Sequence, residues 1–199
     1  MIQMRLRGFL KRQRRIINTN IEFNFANKSA LLDTNILRAF LDDTKGSARF
    51  GPVFDFLREN QCHPYILGNI TSFEFVGFCS NKKTYDTLKN WLENTFDQSP
   101  LYPDDYKLAT KLSVMYKCKN PSINPKQISF VYCLYAAQLK RVNGAFIVTT
   151  DINDYPAFVF DMPKHFAIDD LSGNTTFVGL KTFNATKFST LEKNFNKSG

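Results

Sequence analysis

Ser29-Ala-Leu-Leu-Asp-Thr-Asn-Ile-Leu-Arg-Ala-Phe-Leu41 is an apolar run, a polar turn and a helical pattern in thirteen residues. The run Ser29–Leu32 is short, apolar and bounded by a turn signal, which predicts a buried strand. Asp33, Thr34 and Asn35 are good helix N-cap residues, so Ile36–Leu41 is expected to be helical. A second stretch repeats the form. Ala145-Phe-Ile-Val-Thr149 reads as a buried strand, and Thr150-Asp-Ile-Asn-Asp154 ends it.

Between these strands the chain alternates. Gly51-Pro52 opens a helix through Glu59, and Tyr65–Leu67 reads as a strand. Thr71-Ser72 is expected to cap a helix carrying Phe73, Glu74, Phe75 and Val76. Residues 83–97 and 104–118 read as two further helices, the latter with Asp104 and Asp105 at its positive end. Ser129–Arg141 is the most apolar helix, with Phe130, Val131, Leu134, Ala137 and Leu139 implying burial. Val159-Phe160 and Phe177-Val178 are expected to add strand pieces. Alternation of this kind predicts an α/β fold with a mostly parallel sheet.

Outward from this body, the 199 residues fit one domain with tails. With 20 Phe and 8 Tyr the chain can build a core, which excludes wholesale disorder. No apolar run reaches the roughly 18 residues a spanning helix needs, so no membrane is expected. The N-terminus carries charges inside its apolar stretch and does not read as a secretory signal, which points to the cytoplasm. The four cysteines form no C-x-x-C pair and only two histidines exist, which disfavours a structural zinc site.

The net charge of +8 is unevenly placed. Arg5, Arg7, Lys11, Arg12, Arg14 and Arg15 supply six cations before any acid. Residues 181–199 supply +3, which leaves residues 16–180 near neutrality at −1. The chain therefore divides into a basic N-terminal arm (1–28), a domain (29–180) and a basic C-terminal tail (181–199). Within the arm, Ile21–Phe25 alternates as an edge strand does. A basic arm attracts phosphate backbones through counterion release, so these six residues are candidate nucleic-acid contacts. A merely solubilising tail has the same composition.

In open α/β sheets ligands bind where strands end, so acids at strand ends are the informative ones. Asp33 and Asp151 each follow a predicted strand, and Asp154 lies three residues on. Glu74 stands in an apolar context where an unmatched carboxylate is costly. Converging carboxylates repel, and a hard divalent cation such as Mg²⁺ offsets that repulsion. Taken singly, Asp33 also suits an N-cap, and Asp151 and Asp154 suit turn positions. No G-x-S-x-G, P-loop or G-x-G-x-x-G motif is present, which leaves serine hydrolase, P-loop and dinucleotide chemistry without support.

Three segments together resemble a known family. Leu31-Leu-Asp-Thr-Asn-Ile-Leu37 is similar to the opening motif of PIN-domain proteins, which include VapC-type toxin ribonucleases. Ile70-Thr-Ser-Phe-Glu-Phe-Val76 is similar to their glutamate-bearing helix. Tyr135-Ala-Ala-Gln-Leu139, followed by Phe146–Tyr155, is similar to their closing helix and strand. The resemblance implies a three-layer α/β/α domain with a central, mostly parallel sheet. It also implies a metal-dependent endoribonuclease, the toxin of a toxin–antitoxin pair, that hydrolyses RNA phosphodiesters with a metal-activated water. Carried over, Asp33, Glu74 and Asp151 hold Mg²⁺ or Mn²⁺, Asp154 supports or substitutes, and Asn35 and Thr149 steady the pocket. RNA, an antitoxin protein and a second copy of the chain are the implied partners. One position departs from the pattern. The family's aspartate four residues before Ala-Ala is Tyr132 here, and no acid occurs between Asp105 and Asp151. A phenol is a poor Mg²⁺ ligand at neutral pH. The alternative is therefore a catalytically decayed module that binds RNA or a protein partner. Asp104 or Asp105 could stand in for the missing acid.

Overall fold

The computed structural model describes residues 22–41, 50–77, 79–119, 129–169 and 174–197. These form a six-stranded sheet between layers of helices. In chain order the elements are β1 (Ser29–Leu32), α1 (Thr34–Leu41), α2 (Gly51–Glu59), β2 (His63–Ile66), α3 (Gly68–Val76), α4 (Lys82–Thr95) and β3 (Asp97–Gln98). Then follow α5 (Pro103–Lys119), α6 (Phe130–Arg141), β4 (Phe146–Thr149), a 3-10 turn (Ile152–Asp154), β5 (Phe160–Asp169), β6 (Thr175–Phe183) and α7 (Ala185–Lys197).

The strand order is β3-β2-β1-β4-β6-β5. β3, β2, β1 and β4 pair in parallel, and β6 alone runs against its neighbours. From β1 the chain first builds towards β3 and then returns to place β4 on the other side. Strand order therefore switches between β1 and β4, and a crevice is expected at their carboxyl ends.

Side-chain alternation sorts the core into two faces. Tyr65, Leu31 and Ile147 form one cross-strand row. They pack under α5, α6 and α7 with Leu112, Met115 and Leu134. Ala30, Leu32, Phe146 and Val148 face the other way, against Ile36, Leu37, Val53, Leu57 and Leu92. Each fully buried aliphatic side chain contributes about 1.5–3 kcal/mol. Residues 133–139 of α6 are all buried, because the helix is covered by the sheet on one side and α5 on the other. Asp105 and Arg141 tie these two helices together. Asp105 accepts from the Tyr102 amide at 2.9 Å and from Arg141 Nε at 3.1 and 3.2 Å.

The α/β class, the mostly parallel sheet and the two later strand pieces agree with expectation; the readings of the two ends of the chain do not. The described part of the Ile21–Phe25 stretch is not a strand. Phe25 instead packs into the core against the start of β4, its ring 5.0 Å from Phe146 and 5.1 Å from Phe56. Residues 181–183 complete β6, and residues 185–197 are helical, so the expected basic tail is a structural element. Phe188 and Leu191 are buried on one stripe of α7, a spacing that its lysines concealed. The expected strand pieces are present, Phe160 in β5 and Phe177-Val178 in β6, as parts of one long hairpin. No helix among the described residues is long and apolar enough to cross a membrane.

Candidate functional site

β1 and β4 end side by side, so Asp33 and Asp151 emerge at the switch point. The Asp33 amide continues the sheet by donating to Val148 O at 3.1 Å. This fixes the residue before its side chain is considered. Asp33 is 3% exposed. Its Oδ2 accepts from Thr149 Oγ1 at 2.7 Å, Asn35 Nδ2 at 3.0 Å and Tyr155 OH at 3.3 Å.

Asn35 joins the two strand ends. Its Nδ2 lies 3.0 Å from Asp33 Oδ2, 3.0 Å from Asp151 Oδ2 and 3.1 Å from Thr149 Oγ1. Two N–H protons serve three acceptors, so one is shared. Its Oδ1 accepts from the Thr150 amide at 3.1 Å, which orients the side-chain amide. The Asp33 and Asp151 oxygens therefore lie within about 6 Å of each other.

Glu74 enters from α3. Its Oε2 accepts from Thr34 Oγ1 at 2.7 Å. Thr34 lies 3.1 Å from Tyr135 OH, which lies 3.3 Å from Thr71 Oγ1. With the Thr34 proton on Glu74, the hydroxyls order as a chain: Thr71 to Tyr135, Tyr135 to Thr34, Thr34 to Glu74. Thr71 is not the cap of α3, which starts at Gly68. Its hydroxyl instead reaches back to accept from the Leu67 amide at 3.2 Å. Arg38 donates to the Glu74 carbonyl.

The Tyr132 hydroxyl donates to Asp151 Oδ2 at 3.1 Å. Burial, then the charges of Asp151, Asp154 and Asp33, push its pKa up, so it acts as a donor. Asp154, beyond the 3-10 turn, is raised by burial and by Asp151, against the lowering influence of Tyr132 and Lys181. Burial above all lifts Asp33 to about 6; Asp151 and Glu74 add to the rise, and the Thr149 bond opposes it.

Of the expected residues, Asp33, Asn35, Thr149 and Asp151 are joined directly by hydrogen bonds. Glu74 and Asp154 are coupled to them by charge. Asp105, expected as a possible further acid of the site, is not brought there: it is paired to Arg141, more than two turns along α6 from Tyr132. Arg5, Arg7, Lys11, Arg12, Arg14 and Arg15 lie outside the described residues. Thr34, Tyr135, Tyr155 and Lys181 are the additions. Tyr155 is adjacent to Asp154, but only the tertiary fold turns its hydroxyl onto Asp33.

The donor set is all oxygen and suits a hard cation. Among the described residues no three acidic, histidine or cysteine side chains stand ready-made for coordination. The fit is therefore to a hydrated ion on one or two carboxylates, which is how Mg²⁺ is commonly held. Fold and site together define an α/β/α domain with an acidic cluster at its strand-order switch. No family model matches the chain, and no curated protein matches it in sequence.

Proposed function

We propose that this protein is a divalent-cation-dependent endoribonuclease of the PIN-like kind. The observation that carries the reading is the placement of Asp33 and Asp151 side by side at the switch point, bridged by Asn35, with Glu74 and Asp154 near enough to act on them by charge. Asp33 and Asp151 would hold Mg²⁺ or Mn²⁺. The ion, when bound, would supply Lewis acidity to the attacking water and the leaving oxygen. Thr149 and Asn35 hold the Asp33 carboxylate in place. Glu74, steadied by Thr34, would accept a proton from the attacking water at its other oxygen. At neutral pH Asp33, at about 6, is mostly ionised and able to bind. RNA as substrate, a cytoplasmic toxin role, a covering antitoxin and a homodimer belong to the same proposal and rest on the motif resemblance.

A second reading is favoured by one bond. Tyr132 donates to an Asp151 oxygen that a cation would use. This supports a decayed module that binds RNA or a protein without cleaving. Cleavage of end-labelled RNA with Mg²⁺, Mn²⁺ or EDTA, beside Asp33→Asn and Tyr132→Asp, tests both. Metal-dependent cleavage lost in Asp33→Asn supports the nuclease. Cleavage by Tyr132→Asp alone supports decay at one position. Silence from all folded variants overturns the nuclease reading.

A further inference from the structure

Lys181 stands where an apolar residue is expected. It lies on β6, pairs with Ile147 of β4, and so extends the row Tyr65–Leu31–Ile147 across the sheet. The residue is 6% exposed. Its Nζ donates to Ile152 O at 2.5 Å and to Tyr155 O. One ammonium thus holds both ends of the turn that follows Asp151.

A second contact points the same way. Gly179, two residues before Lys181, faces the same side of β6. A Cβ there would lie 3.0 Å from Ile152 Cγ1 and 3.3 Å from Met162 Sδ. Ile152 therefore seats directly on the glycine backbone. The reversed strand grips the turn twice, by charge at Lys181 and by shape at Gly179. What the turn carries is functional: Asp154 lies beside Tyr132, and Tyr155 sends its hydroxyl to Asp33. Burying an ammonium costs solvation, and a methionine would fill the row without that cost. The cost is visible in the Lys181 pKa, which burial lowers to about 8 while Asp154 opposes the fall.

We propose that Lys181 is a positioning residue, and that with Gly179 it makes β6 a template holding Asp151, Asp154 and Tyr155 in the arrangement that receives the cation. The consequence for the cation rests on the nuclease reading; the clamp on the turn does not.

The test uses the full chain and the variants Lys181→Met and Gly179→Ala. Amide hydrogen exchange is followed at residues 152–155, where the Asp154 amide bonds Asp151 O, with Mn²⁺ affinity and melting temperature measured alongside. Exchange in the turn is expected to quicken about tenfold or more in both variants, with the amides of β1 and β4 unchanged. Mn²⁺ affinity is expected to fall about tenfold, with little change in melting temperature. Unchanged exchange in the turn overturns the proposal, as does a rise spread evenly over the sheet, which marks a general structural role. Should Lys181→Met fail to fold, Gly179→Ala decides by the same criteria. If the parent binds no Mn²⁺, the nuclease reading falls and the exchange data alone judge the clamp.

Discussion

Asp33→Asn is expected to stabilise this protein while abolishing its chemistry. The substitution keeps the shape of the side chain, and the amide oxygen can still accept from Thr149, Asn35 and Tyr155. What it removes is a buried charge. Asp33 rises from an ordinary 3.8 to about 6 on folding, by burial first and by Asp151 and Glu74 next. At about 1.4 kcal/mol per tenfold change in proton affinity, ionised Asp33 costs the fold about 3 kcal/mol. The sign follows from proton counts. Between pH 4 and 6 the native state holds the proton that the unfolded state has lost, so stability falls as pH rises through this window. The penalty is complete above about pH 6 and absent below about pH 4. Urea denaturation of parent and variant across pH 4–8 reads it directly. The variant should gain up to about 3 kcal/mol at pH 7.5, less any loss from its reoriented amide, and the gain should vanish near pH 4. A difference independent of pH refutes the argument, because the substitution would then act through packing and not through charge.

Other outcomes follow from the same geometry. Tyr132→Phe removes one donor to Asp151 and should cost about 1 kcal/mol by urea denaturation, since the site is partly open to water. Tyr132→Asp should raise Mn²⁺ affinity at least about tenfold by titration calorimetry, because a carboxylate replaces a phenol beside Asp151. Arg141→Met leaves Asp105, 3% exposed, without its partner. About 2 kcal/mol should be lost, discounted for the exposure of Arg141, with a fall of about 4–8 °C in melting temperature and no change in cleavage. Lys181 holds its proton less well folded than unfolded, so between about pH 8 and 10.5 the unfolded state binds more protons and stability should rise with pH. Lys181→Met should lack that rise in a denaturation series against pH.

The central strands were legible because each is an apolar run ended by an acid-bearing turn, and α6 because its apolar residues cover nearly the whole helix. Their order was not. Nothing local in β4 reports that it lies beside β1, yet that adjacency brings Asp151 to Asp33. The hairpin β5–β6 was visible only in fragments, since Asp161, Lys164, His165 and Lys181 interrupt its apolar pattern. Three of these have a tertiary answer: Asp161 meets Lys187 at 2.7 Å, Lys164 lies over the rings of Phe56 and Phe166, and Lys181 meets two carbonyls. The C-terminal helix was hidden because its lysines dominate its composition while only Phe188 and Leu191 mark its buried stripe. In the site, Asp33, Asp151 and Asp154 could be located by their place after strands, and Glu74 by its apolar context. The tyrosine hydroxyls could not, because a phenol reports its direction only through the fold.

The hydrogen bonds around Asp33 and Asp151 separate two requirements that a buried carboxylate must meet. Bonding is well supplied: Asp33 Oδ2 accepts three donors and Asp151 Oδ2 two. The charge is not offset, because the donors are the neutral groups of Thr149, Asn35, Tyr155 and Tyr132. Lys181 turns its ammonium to backbone carbonyls instead. A cation on Asp33 should therefore displace the proton that Asp33 retains in part near its pKa. At pH 6 about half of the Asp33 carboxyls are protonated, so Mn²⁺ binding should release about half a proton, and close to none at pH 8. Titration calorimetry in buffers of different ionisation enthalpy counts those protons. Binding with no buffer dependence at pH 6 would place the ion away from Asp33 and remove the acidic cluster from the mechanism.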